Sequence, residues 1–366
     1  MTSPVFVHLH VHSEYSLVDS TVRIPRLMQR CAEDGMPAVA LTDQNNLFAM
    51  VKFYTKAIAS GVKPIIGADL RLVNEDDTER PHTLILLCQD MDGYKNLSRL
   101  LTRAFLEGQH RGEPMIQPEW LTRESCAGLI ALSGGLHGNV GRALALGHHD
   151  EALKVLRKWQ ELFDGRYYLE LIRTGRAGEE DCVQASLKLA SEEGVPVVAS
   201  NDVRFLDDDG FNSHEARVCI NAGRSLADVD RPRAYSDQQY LRSPAEMAEL
   251  FADVPEAVTN TVEIAKRCNL DLRLGESVLP AFPVPGGQTE IDFLEKEANG
   301  GLARLLNEKF VAEEVPAKQR NVIAAPYHER LAIEIGVIRD MGFPGYFLIV
   351  ADFIRWAREN DVPVGP

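Results

Sequence analysis

Short apolar runs rich in Val, Ile and Leu alternate along this chain with longer segments whose apolar residues recur every three to four positions, a rhythm of strands and amphipathic helices. The first run, "FVHLHVHSEYSLVDS", reads as a strand. The first helix opens near Pro25 and carries Leu27, Met28 and Cys31 on one face. Gly35 supplies its left-handed stop and Pro37 bars continuation. "PAVALTD" follows as a strand, "LFAMVKFYTKAIASG" as a helix, "KPIIGADLRLV" and "HTLILLCQD" as strands, and "GYKNLSRLLTRAFLEG" as a helix. The alternation resumes with "GLIALSGG" as a strand and a helix striped by Leu153, Leu156, Trp159 and Phe163. "RYYLELIRTG", a helix over "CVQASLKLASEEG" and the strand "VPVVASNDVRFL" complete it. About seven strand units with intervening helices predict an α/β fold with a mainly parallel sheet, closer to a barrel than to an open sheet.

Candidate chemistry concentrates at the strand ends. His8, His10 and His12 occupy alternate positions, and in a regular strand they would share one face, where imidazoles suit divalent transition metals. They are equally compatible with hydrogen-bonded interior histidines. Asp43 and Gln44, Asp69 and Asp202 each close an apolar strand, and in parallel α/β folds the carboxyl ends of the strands form the functional face. A lone Asp after a strand is more often a turn former or helix cap, but three on one rim with a His-x-His strand point to a site.

Composition narrows the classes. A length of 366 residues predicts two domains. The 45% hydrophobic and 25% charged content is ordinary for a soluble protein, and no apolar run approaches the ~20 residues of a membrane span. The N-terminus lacks the basic and apolar regions of a secretory signal, so an intracellular, cytoplasmic protein is expected. Six cysteines without a C-x-x-C pair predict reduced, mostly buried thiols. A net charge of −15 opposes broad nucleic-acid binding and favours protein partners. The basic spots Arg173 to Arg176 and Arg231 to Arg233 read as solvated loops, and "SHEARVCI", with His214 and Glu215, as the start of a helix.

The stretches "FVHLHVHSEYSLVDS", "ALTDQNNLFAMVKFY", "KPIIGADL", "GLIALSGG" and "SNDVRFL" resemble the polymerase-and-histidinol-phosphatase (PHP) domain that begins bacterial replicative DNA polymerase III alpha subunits. "LPAFPVP" and the segment from "ERLAIEIGV" to "DVPVGP" are similar to the opening of that polymerase's palm. The resemblance implies a distorted (βα)7-type PHP barrel over residues 1–277, then a mainly helical start of the palm over 278–366 that stops before the catalytic carboxylates. It also implies DNA-directed DNA synthesis with Mg2+ in the full-length enzyme, on primer-template DNA. The implied partners are a proofreading exonuclease subunit and other replicase subunits. No catalytic residue of nucleotidyl transfer is expected in this chain, which alone should be inactive as a polymerase.

Carried over position by position, the PHP metal site falls on His10, His12, Asp19, Gln44, Asp69, His82, Gly135, Asp202 and Arg204. His10, His12, Asp19, Asp69, His82 and Asp202 keep donors, with Asp69 one methylene shorter than the family's Glu. Gln44 and Arg204 stand where metal-binding members have His, and Gly135 where they have Cys or His. Gln is a poor ligand, Gly offers no side chain and Arg is a permanent cation, so the site is expected to hold no metal or one weakly bound divalent ion. Arg204 is expected to neutralise Asp19 and Asp202 in the metal's stead. The resemblance gives His8 no ligand role. Two functions follow: a scaffold for the exonuclease subunit, or a barrel that remains a metal-dependent phosphoesterase, pyrophosphatase or 3′-5′ exonuclease.

Overall fold

The computed structural model describes residues 5–276 and 278–365. The chain divides into two compact units, Met1–Leu272 and Arg273–Pro366.

The first unit is α/β. Its strands are β1 (Ala38–Leu41), β2 (Lys63–Leu72), β3 (His82–Cys88), the short β4 (Gln109–His110) and β5 (Glu113–Pro114), β6 (Leu129–Leu132), β7 (Tyr167–Ile172) and β8 (Val197–Ser200). Six of them form one curled sheet in the order β1-β2-β3-β6-β7-β8, while β4 and β5 make a separate hairpin. The sheet is mixed rather than mainly parallel. β3 runs antiparallel to both β2 and β6, and the other three pairings are parallel. The cause is the connection: no helix lies between β2 and β3, and a parallel pairing needs a long crossover. An apolar strand looks the same in either direction, which hides this reversal from pattern reading.

Residues 5–12, expected as a strand, form no regular strand, although they lie extended between the two sheet edges. On one side the carbonyls of His8 and Val11 accept from the amides of Ala40 and Thr42. On the other, His12 N donates to Val203 O and Val203 N to His10 O. The segment thereby closes the barrel, pairing the chain's beginning with the residue just beyond β8.

Strand alternation buries both faces. Val7, Leu9, Ala40, Ile65, Ile85, Ile130, Tyr168 and Val198 fill the inside, where each buried aliphatic contributes about 1.5–3 kcal/mol. The opposite face packs Val39, Leu70, Leu86, Leu129 and Leu169 against helices. These are α1 (Ile24–Glu33), α2 (Met50–Ala59), α3 (Met91–Glu107), α4 (Asn139–Ala145), α5 (His149–Phe163), α6 (Glu179–Glu193), α7 (Phe211–Asn221), α8 (Pro244–Leu250) and α9 (Pro255–Arg267). α1 buries Leu27, Met28 and Cys31 as its spacing predicts, and α9 adds Ile264 and Ala265 to the inner core.

The second unit is helical among its described residues: α10 (Glu290–Ala312), α11 (Ala317–Asp340) and α12 (Pro344–Glu359). Its small core gathers Leu306, Phe310, Val315 and Ala324. The architecture is thus an α/β barrel followed by a helical region. No described helix is long and apolar enough to cross a membrane.

Candidate metal centre and its ion-pair network

Barrel closure brings His10 and His12 against Asp69 within β2, and His10 against Glu170 within β7 and Asp202 just beyond β8. His10 Nε2 and His12 Nε2 lie 3.6 and 3.2 Å from Asp69 Oδ2, and His10 Nε2 lies 3.5 Å from Asp202 Oδ1. All four side chains are buried. Both Nε2 atoms and Asp69 Oδ1 are buried without a hydrogen-bond partner. His10, His12 and Asp69 are the described residues whose donor atoms could converge on one ion.

The third histidine of the stretch is elsewhere. His8 Nε2 donates to the Arg242 carbonyl at 2.8 Å, and burial pushes its pKa down to about 4. Val7 and Leu9, not His8, face the inner core, because an irregular segment does not keep period two.

Glu170, in the middle of β7, was not singled out by the sequence reading. Its Oε1 accepts from His10 Nδ1 at 2.9 Å, the arrangement by which a carboxylate aims an imidazole's other nitrogen. Burial opposes a charge on His10, but attraction to Glu170, Asp202 and Asp69 wins and raises its pKa to about 10. The signal was present in the sequence as one carboxylate inside the buried run "YYLELI". Glu170→Gln should lower stability by about 1.5–3 kcal/mol, the scale of a hydrogen bond to a charged group, read as a lower urea midpoint. An unchanged midpoint would show that this contact does not hold His10 charged.

Arg204 occupies the centre of the remaining carboxylates. Its Nε donates to Asp202 Oδ1 at 2.7 Å, and its Nη1 donates to Asp19 Oδ2. Nη1 also lies 2.7 Å from His12 Nδ1. Arg176 Nη2 at 3.1 Å and Gln239 Nε2 at 2.9 Å satisfy Asp202 Oδ2, and the Tyr235 ring lies 5.8 Å from the Arg204 guanidinium. Burial alone would raise the carboxylate pKa values, but Arg204 with His12 holds Asp19 at about 2, and Arg204 with His10, Arg176 and His12 holds Asp202 well below the usual range. Asp69 is also far below it, through His10 and His12.

Arg204 and Asp19 make opposite demands on His12. Burial and Arg204 oppose a second proton on this ring, whereas Asp19 and Asp69 favour one and raise its pKa. The Arg204 guanidinium, 2.7 Å from Nδ1, can only donate and needs Nδ1 as an acceptor, whereas the Asp19 carboxylate, with Oδ1 3.2 Å from the same nitrogen, can only accept and needs it as a donor. One ring nitrogen cannot meet both at once, so His12 Nδ1 is contested between the cation and the carboxylate.

Gln44 lies beside Asp69, joined to it by an isolated parallel bridge, but its side chain turns to Arg71; the remaining expected positions are not drawn into this cluster. Gln44 Oε1 accepts from Arg71 Nη2 at 3.1 Å. His82 pairs with Leu72, three residues beyond Asp69 and hence on the other face of β2; burial lowers its pKa to about 4. Gly135 opens a 3-10 turn at φ +52°, and a Cβ there would lie 2.9 Å from Ile172 Cδ1. Asp43 accepts from Ser13 N, Ser13 Oγ and Ser16 Oγ, which pins the turn after His12. His214 Nε2 donates to the Asp19 carbonyl at 2.9 Å and positions Asp19. The basic spots are paired internally: Arg173 with Glu180 and Asp253, Arg176 with Glu179 and Asp202, and Arg231 with buried Glu215. Among the described residues the donor set that could hold one divalent ion is His10, His12 and Asp69, with Arg204 bonded to Asp19 and Asp202 beside it.

The PHP domain family matches residues 8–174, and the bacterial DNA polymerase III alpha NTPase domain family matches residues 294–366. DNA polymerase III subunit alpha of Pseudomonas aeruginosa is 49% identical over 363 residues, covering 99% of this chain and 30% of the relative. Its counterpart from Vibrio cholerae is 49% identical over 366 residues, and that from Escherichia coli K12 is 48% identical over 366 residues; each match covers all of this chain and 31% of the relative. An amidohydrolase from Chromobacterium violaceum aligns with TM-score 0.40 and 13% identity over 58% of this chain and 97% of its own, a distant likeness. The chain spans under a third of the polymerase relatives' length. It belongs, as an N-terminal region, to the bacterial DNA polymerase III alpha subunits.

Proposed function

We propose that this chain works as part of a replicative DNA polymerase alpha subunit, with a PHP barrel whose metal site has become an ion-paired scaffold for a proofreading exonuclease subunit. Template-directed DNA synthesis with Mg2+ would belong to the longer enzyme, and residues 278–366 would supply the start of its palm. The observation that carries the reading is Arg204, buried among Asp19, Asp202 and His12 where a metal would need free donors. A permanent cation there both repels a metal ion and compensates the carboxylates.

The competing reading, a metal-dependent phosphoesterase, draws on the unpartnered Nε2 atoms of His10 and His12. Co-elution of the purified chain with the exonuclease subunit of the same replicase separates the two. Under the scaffold reading a stable complex forms, survives removal of residues 278–366, and incorporates no nucleotide on a primed template. Absence of a complex, together with metal-dependent cleavage of phosphate esters lost in His12→Ala, would replace this reading by the other.

A further inference from the structure

The chain between α7 and α8 contains no helix and no regular strand, and it passes over the Arg204 network. Gly223, at φ +62°, turns it away from the end of α7. Residues 222–230 and 232–234 are exposed, the apolar Leu226 and Val229 among them. Their hydrogen bonds are local: Arg224 N donates to Cys219 O, Ser225 N to Asp228 Oδ2, Asp228 N to Ser225 O and Ala227 N to Ser225 Oγ. A stretch with so little apolar burial opens at low cost.

What ties it down is specific. Among the described residues of 222–234, Arg231 alone is not exposed, and its Nη1 donates to Glu215 Oε2 on α7. Glu215 is buried, and a buried carboxylate is costly unless paired, so each residue holds the other in place. Just beyond, the Tyr235 ring stands edge-on to His214 at 4.6 Å and 5.8 Å from the Arg204 guanidinium. Ser236 Oγ then donates to the Thr174 carbonyl at 2.6 Å, past the end of β7, and the Gln239 carbonyl accepts from Arg204 N. The chain therefore runs from α7, over Arg204, to the loop after β7. Beneath it His214 and His12 are fully buried.

We propose that residues 222–235 form a gate, hinged at Gly223 and latched by Arg231 on Glu215, whose opening lifts Tyr235 and admits water and small ions to the Arg204 network. Closed, it keeps the ion pairs dry and therefore strong. The latch sits on α7, the helix whose His214 also holds the Asp19 carbonyl, so gate and network share one support. The inference concerns access alone and stands whether the barrel beneath is a scaffold or a phosphoesterase.

The test labels the whole chain with diethyl pyrocarbonate, which acylates an unprotonated imidazole nitrogen, and reads each histidine by mass spectrometry. His214 reports on the space beneath the gate, since it is fully buried and its Nδ1 has no hydrogen-bond partner. His148 and His149, exposed at the start of α5, supply the reference rate. Arg231→Met should raise the His214 rate roughly thirtyfold against that reference, the factor that matches loss of one hydrogen bond to a charged group. Because that change strands Glu215, the double variant Glu215→Gln with Arg231→Met is labelled beside it and should show the same rise. Arg233→Met, two residues on and exposed, should leave the parent rate. Hydrogen exchange over residues 84–88 of β3 should stay as in the parent, which separates an open gate from a lost fold. His214 labelling equal in the parent and both Arg231 variants, or rising only in step with exchange at 84–88, overturns the proposal.

Discussion

Arg204→Met should lower the stability of the barrel by about 3–5 kcal/mol, the usual consequence of removing one member of a buried ion-pair set. The substitution leaves Asp19 and Asp202 without their main counter-charge, in positions where neither is exposed enough to be solvated. Arg176 and Gln239 still reach Asp202 Oδ2, so Asp19 suffers more. In a unit of this size the change corresponds to a fall in Tm of roughly 10 °C, readable by differential scanning calorimetry. Arg204→Lys should recover only part, because an ammonium cannot span Asp19, Asp202 and His12 as the planar fork does. A variant as stable as the parent would show that Arg204 is a bystander and would remove the observation on which the scaffold reading stands.

The second large effect concerns metal. The parent chain should hold at most one weakly bound divalent ion, and Arg204→His alone should add little, because Gln44 and Gly135 still offer no adequate donor. Gln44→His with Arg204→His should roughly double the bound zinc or manganese, measured by plasma mass spectrometry after dialysis, since the repulsive charge is gone and position 44 gains an imidazole donor. Simply adding Gly135→Cys, as the family pattern suggests, meets two obstacles: the left-handed φ of +52° and the close approach of Ile172. Pairing it with Ile172→Val relieves the second. Stoichiometric metal in the parent, with phosphatase activity lost in His12→Ala, would sink the scaffold assignment.

Much of this site was legible because of where its residues fall. Asp69, Asp202 and the His10–His12 pair sit at the ends of apolar runs, and polar residues there have few structural reasons to be buried. Arg204 was readable as a charge change against the family pattern. Glu170 was not, because a lone carboxylate inside a strand looks like an exposed alternate position until both faces are known to be buried. His8 is buried and hydrogen-bonded, in keeping with its lack of a ligand role, but the face it was expected to share with His10 and His12 rested on period two in a segment without strand regularity. His82 depends on the direction of β3, which residue order does not encode.

The closure of the barrel by residues 5–12 carries a consequence for its making. His12 bonds to Val203, and the Arg204 contacts to His12 and Asp19 span 192 and 185 residues. At about 5–20 residues per second of synthesis, the opening segment waits roughly 10–40 seconds for its last neighbour to emerge. Until then its histidines and Asp19 have no guanidinium to meet. Because Arg204 follows Val203 directly, the peptide that completes the hydrogen-bonded ring also delivers the counter-charge, so geometric closure and charge neutralisation of the interior are one event in the life of the nascent chain.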